Sequence, residues 1–163
     1  SQIPPFVVRV GVFVDETPEK VRAIYDLCRL DAVQLHGNEP PDSIKEYPGR
    51  IIKAARIKGP ESLSGLSDYS VSAFLLDTYR PEQHGGTGAT FDWNLAREAK
   101  ALGRIILAGG LTPENIEEAI RIVDPYAVDI SSGVEIQPGV KDPEKLKILF
   151  KTIRMIQSNC QDR

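Results

Sequence analysis

Phe74-Leu-Leu-Asp-Thr78, followed by His84-Gly-Gly-Thr-Gly-Ala-Thr-Phe-Asp-Trp93, decides the fold. An apolar run closes on a single carboxylate, a glycine-rich loop comes next, and then a helix begins. The layout recurs at Ile105-Ile-Leu-Ala-Gly-Gly110 and at Ala127-Val-Asp-Ile-Ser-Ser-Gly-Val-Glu135. A backbone without Cβ atoms can approach a ligand closely and turn its N–H groups toward an anion. The repetition suggests strand–helix units built around a sugar phosphate.

Outward from that stretch, apolar β-branched runs alternate with helical patterns. Candidate strands cover residues 7–14, 32–36, 51–56, 73–77, 105–108 and 127–131. They are near-continuous rather than alternating, as parallel strands covered on both faces should be. Thr17-Pro-Glu-Lys20 reads as an N-cap, a proline at the first helical position and an acid in the first turn. Thr112-Pro-Glu-Asn115 and Asp142-Pro-Glu-Lys145 repeat the signature, and Ile148, Leu149, Ile153 and Ile156 supply an apolar stripe to the last helix. The expectation is one α/β domain over residues 1–163 with about six βα units.

An open doubly wound sheet gathers its ligand residues at one switch point. A (β/α)8 barrel turns every strand end toward one mouth. Asp15, His36, Arg56, Asp77, Gly109 and Ser131 each fall at or just past a strand end. Polar or glycine residues after every strand favour the TIM (β/α)8 barrel. Six units are too few to close one, and the missing units are expected at the N-terminus.

The 163 residues are 41% hydrophobic and 26% charged, enough for a sizeable globular core. A net charge of −3, with no basic patch, argues against nucleic acid as a partner. No segment reads as a signal peptide or a membrane span, so a cytoplasmic protein is expected. Cys28 and Cys160 have neither metal-ligand nor disulfide-framework spacing, and Cys28 reads as a small buried apolar residue.

Asp77 is the candidate general acid. At the end of Phe-Leu-Leu its carboxyl should be partly desolvated, which raises a carboxyl pKa toward the range useful near neutral pH. A turn aspartate is the bland alternative. Gly86 and Gly88, within Gly85-Gly-Thr-Gly88, read either as a ligand-cradling loop or as a surface loop. Gly109 and Gly110 before a helix, with Ser131, Ser132 and Gly133 closing the last strand, form a candidate phosphate site. Asp129 inside a strand needs a partner; it either binds a sugar hydroxyl or makes a structural hydrogen bond. His36 either lines the mouth or is a satisfied structural histidine. Phe91 and Trp93 read as packing residues at a helix start.

Taken together, Val10-Gly-Val-Phe-Val14, Val33-Gln-Leu-His-Gly37, Leu75-Leu-Asp-Thr78 with its glycine loop, Ala108-Gly-Gly-Leu-Thr-Pro-Glu-Asn115 and Val128-Asp-Ile-Ser-Ser-Gly-Val-Glu135 resemble the phosphoribosylanthranilate isomerase family of tryptophan biosynthesis. The resemblance runs from about Phe6 to the final helix, in family order and spacing. It implies a TIM barrel and an Amadori rearrangement of N-(5-phosphoribosyl)anthranilate to 1-(2-carboxyphenylamino)-1-deoxyribulose 5-phosphate, without cofactor or metal. It implies Asp77 as general acid, with phosphate held by Gly109, Gly110, Ser131, Ser132 and Gly133. His36, Gly86, Gly88 and Asp129 would complete the substrate site. The family's general base is a cysteine in a Lys-Ile-Cys-Gly strand, which this sequence lacks, along with the second βα unit. The chain therefore looks like (βα)3 to (βα)8, inactive by itself and completed by an N-terminal segment or by self-association. A non-catalytic phosphate-ligand binder is the alternative. A different phosphate-binding barrel enzyme fits less well, because Leu-Leu-Asp-Thr is paired with Gly-Gly-Thr-Gly.

Overall fold

The computed structural model describes residues 3–78 and 92–161. Six strands form one parallel sheet in chain order: β1 (Val10–Phe13), β2 (Ala32–Leu35), β3 (Arg50–Ile57), β4 (Ala73–Thr78), β5 (Ile105–Leu107) and β6 (Ala127–Val128). All six expected strands form. The outer two are shorter than expected. Among the described residues, β1 pairs only with β2 and β6 only with β5. With a ladder on one side only, residues 7–9 and 129–131 fall outside the regular strands.

Helices α1 (Pro18–Cys28), α2 (Trp93–Glu98), α3 (Ile116–Val123) and α4 (Pro143–Gln161) accompany the sheet. The Thr17 hydroxyl caps α1 by accepting from the Lys20 amide at 3.4 Å, and the Asp142 carboxylate accepts from the first-turn amides of α4. The α3 start differs from expectation. Thr112 opens a turn, and the helix begins only after Asn115. After β2 and β3 the chain makes short 310 turns, Pro41–Glu46, Pro60–Leu63 and Leu66–Asp68, where prolines and glycines interrupt longer helices. A hairpin of β7 (Glu135–Gln137) and β8 (Val140–Lys141) was not foreseen; its turn is Pro138-Gly139, with Gly139 at φ +81°.

Side-chain alternation gives the sheet two unlike faces. Phe74, Leu76, Ile105 and Leu107 point outward into a large core with α2, α3 and Leu149 of α4. Phe13, Val33, Leu35 and Ile51 build a second core with Val21 of α1. The other face is concave and lined by Ala54, Leu75 and Ala108, flanked by Ile52 and Ile106. Sequential parallel strands with helices on one face only make a half-barrel. Its inner wall is open along β1, where Val12 is 58% exposed. Two expectations fail on the helices. Cys28 is exposed, because it lies on the solvent side of the last turn of α1 beside the exposed Leu27. Ile148 also faces outward, with Phe150 and Met155, while Leu149 and Ile153 carry the α4 contact with the core. No helix among the described residues is long and apolar enough to cross a membrane.

Candidate active site

The strand register decides which side chains meet. Gln34 lies opposite Val12 and Ile52, and Asp77 lies opposite Arg56. Alternation then puts Gln34 and His36 of the β2 end, Asp77 of β4 and Asp129 just past β6 on the concave face, at the C-terminal ends of the strands. His36 Nε2 stands 3.6 Å from Asp77 Oδ2. The other ring nitrogen, Nδ1, is 3.0 Å from the Gln34 amide nitrogen. Three of the expected residues, His36, Asp77 and Asp129, therefore gather in one cluster.

The Asp77 side chain keeps 34% of its surface exposed and is partly buried. The Asp129 carboxyl is pushed above its usual range. Crowding in the concave mouth is the main cause and repulsion from Asp77 the second, with His36 and Lys141 pulling the other way. Phe74, Leu75 and Leu76, which lead into Asp77, are buried.

The candidate anion-binding loops stand beside this cluster. Gly109 and Gly110 both adopt the left-handed region, at φ +78° and +70°, which a side chain would resist. The Asn115 side chain braces their loop, donating to the Gly110 carbonyl at 3.0 Å and accepting from the Thr112 amide at 2.9 Å. Ser131 and Ser132 are exposed. Gly133 is forced by a close approach, since a Cβ there would overlap the Leu111 carbonyl. The loops after β5 and β6 are thus in backbone contact. Lys141 reaches back from the hairpin to donate to the Ser131 carbonyl at 2.9 Å, and its ion pair holds the Glu135 carboxyl below the usual range. Gly86 and Gly88 lie outside the described residues, as do Phe91 and His84. Trp93 packs against the large core, as expected of a helix-start aromatic.

Sequence reasoning missed a buried ion pair under the mouth. Lys53 of β3 and Glu39, in the loop after β2, are 5% and 1% exposed, with Nζ and Oε2 at 3.0 Å. Lys53 also donates to the carbonyls of Gly37 and Ala54. Glu39 accepts from the amides of Gly37 and Asp15, and Tyr69 donates to its carbonyl oxygen. The Lys53 ammonium lies 5.9 Å from the centre of the Tyr69 ring. This clamp ties the loop after β1 to the loop that carries His36. The available signal was a lysine inside Ile-Ile-Lys-Ala-Ala, since a charge in an apolar strand needs a partner. Among the described residues, no group of three or more His, Cys, Asp or Glu side chains is placed to hold a metal ion.

Sequential parallel strands with polar groups gathered at their C-terminal ends place the chain in the barrel class of α/β proteins, whose sites lie at that face. Residues 3–152 match the family described as "PRAI: N-(5'phosphoribosyl)anthranilate (PRA) isomerase". The chain belongs to that family. It is 52% identical over 155 residues to the N-(5'-phosphoribosyl)anthranilate isomerase of Citrifermentans bemidjiense, covering 95% of this chain and 75% of the relative. The phosphoribosyl anthranilate isomerase structure from Thermotoga maritima superposes with a TM-score of 0.85 at 43% identity, over 93% of this chain and 75% of that one. A further isomerase structure, in complex with reduced 1-(o-carboxyphenylamino)-1-deoxyribulose 5-phosphate, gives a TM-score of 0.82 at 38% identity, over 94% and 74%.

Proposed function

We propose that this chain carries the acid and phosphate-binding part of an N-(5'-phosphoribosyl)anthranilate isomerase of tryptophan biosynthesis. The observation that carries the reading is the family match over residues 3–152, combined with Asp77, His36 and Asp129 meeting at one mouth. Asp77 gives its proton to the furanose ring oxygen. The bond from that oxygen to C1 breaks, and the nitrogen lone pair forms the C1=N bond of a Schiff base. A base then takes the proton from C2, giving a C1=C2 enolamine. Loss of the C2 hydroxyl proton and protonation of C1 complete the ketone. Atoms balance within the substrate, so no redox partner is needed.

His36 and Asp129 face the ribose part of the substrate. Gly109, Gly110, Ser131, Ser132 and Gly133 take the phosphate, and Gly86 and Gly88 are further substrate-binding residues. The C2 base must come from outside this sequence. Cys28 ends α1, Cys160 lies in α4, and neither is near a strand end. The chain spans about three quarters of the length of the relatives it matches. We infer that the 163 residues alone do not turn over substrate. The unpaired edges of β1 and β6 are covered by an N-terminal segment or by a second copy. The binder reading has no observation in its favour over the isomerase.

The test is an isomerase assay on the purified chain, alone and mixed with a two-unit βα segment that carries a Lys-Ile-Cys-Gly strand. Activity only in the mixture is expected. No activity in a mixture shown to form a complex would refute the reading.

A further inference from the structure

We propose that Gln34 is a positioning residue that sets the tautomer of His36, placing the ring proton on Nε2 and aiming it at Asp77. Gln34 and His36 are two residues apart at the β2 end, so their side chains leave the same face. Gln34 is buried, 8% exposed, between its register neighbours Val12 and Ile52, and its amide has little water to turn to. Its amide nitrogen lies 3.0 Å from Nδ1, while Nε2 lies 3.6 Å from Asp77 Oδ2.

A neutral imidazole has one donor and one acceptor nitrogen. The nitrogen of a side-chain amide only donates. Nδ1, which meets that donor, therefore carries the lone pair, and in a neutral ring the hydrogen sits on Nε2, the nitrogen that faces Asp77. The opposite tautomer would set a hydrogen on Nδ1 against the amide hydrogens. The other charged groups at this point are Asp129, which interacts with both His36 and Asp77, and Arg56, the register neighbour of Asp77 on β3.

At 3.6 Å the Nε2–Asp77 contact is longer than a hydrogen bond. It is poised to shorten when charge develops on Asp77. If Asp77 is the acid of the reaction, the Nε2–H proton stabilises the carboxylate left behind when it gives up its proton. That consequence rests on the isomerase reading, whereas the tautomer does not.

The experiment uses the 163-residue chain with 15N-labelled histidine. The chain has two histidines, His36 and His84, so His84→Gln assigns the signals. Two-bond 1H–15N spectra at neutral pH distinguish a hydrogen-bearing ring nitrogen from a bare one. The expected result is a bare Nδ1 and a hydrogen-bearing Nε2 in His36, with the other tautomer below about a tenth of the population, the ratio a 1.4 kcal/mol preference produces. Gln34→Leu should return the ring to the mixture of a free histidine side chain. Gln34→Glu, which offers only an acceptor, should place hydrogen on Nδ1. A residue that merely fills space would change stability without moving these populations. An Nδ1–H or evenly mixed ring in the parent chain overturns the proposal even if both variants fail to fold. So does an unchanged tautomer in a folded Gln34→Leu.

Discussion

Lys53→Met tests the clamp under the mouth. Methionine keeps most of the apolar stem of lysine and removes the ammonium, with its charge and its donors to Glu39 and to the Gly37 and Ala54 carbonyls. Glu39 is then left as a carboxylate 1% exposed, retaining its bonds from the Gly37 and Asp15 amides but losing its cation. Removing one partner of a buried pair costs about 3–5 kcal/mol, because the other charge stays behind without compensation. Typical domain stability is about 5–15 kcal/mol, so the loss is a large share of the total. For a chain of this size each kcal/mol moves the melting temperature by about 2–4 °C, giving a fall of roughly 6–20 °C. The assay is urea unfolding at fixed protein concentration, comparing midpoints at unchanged slope. Amide exchange should quicken first at Gly37 and Asp15. The double variant Lys53→Met/Glu39→Gln removes both charges and should recover much of the loss, since an apolar or neutral pair replaces a buried ion pair at little cost. If Lys53→Met stays within about 0.5 kcal/mol of the parent, the size of an ordinary surface substitution, the clamp argument is wrong.

Asp77→Asn is expected to leave the fold intact and lower turnover of the assembled enzyme by about 10²–10⁴-fold, the usual contribution of a general acid; steady-state kinetics within a few-fold of the parent would remove Asp77 from the acid step. Inorganic phosphate added to the labelled chain should shift the amides of Gly109, Gly110 and residues 131–133 before any others, and NMR shifts concentrated elsewhere would contradict the phosphate placement. Asp129 is held above its usual pKa, so the folded state binds the more protons between the unfolded and folded values, and stability falls as pH rises through that window. Asp129→Asn should therefore stabilise the chain at neutral pH and do little in strong acid, where both states are protonated, as read from urea midpoints at the two pH values. The open β1 and β6 edges should make the chain self-associate with rising concentration; a monomer at every concentration in sedimentation would count against the edge argument.

The sheet was legible because parallel strands covered by helices must be apolar for most of their length, and six such runs stand out. His36, Asp77 and Asp129 were legible for a related reason, as polar residues at or near the ends of those runs. Three things were hidden. The upward push on Asp129 depends on its nearness to Asp77 two strands away, which periodicity does not encode. Cys28 and Ile148 sit on stripes whose phase is set by the partner they pack against. Lys53 and Glu39 are 14 residues apart, and only the fold brings their charges together. Gln34 was in plain sight within Val-Gln-Leu-His, but an amide has a role only once its neighbour's ring orientation is known.

The second core has a bearing on how the chain is made. Phe13, Val21, Val33, Leu35, Ile44, Tyr47 and Ile51 pack with Tyr69 and Val71, and among the described residues nothing beyond position 71 belongs to that cluster. Chains leave the ribosome from the N-terminus, and early parts can fold as units. The support of His36, including Glu39, Lys53 and Tyr69, can therefore set before the strand ends that carry Asp77 and Asp129 have packed. Tyr69 and Val71 also touch the large core, so the later half is laid down on a template already in place.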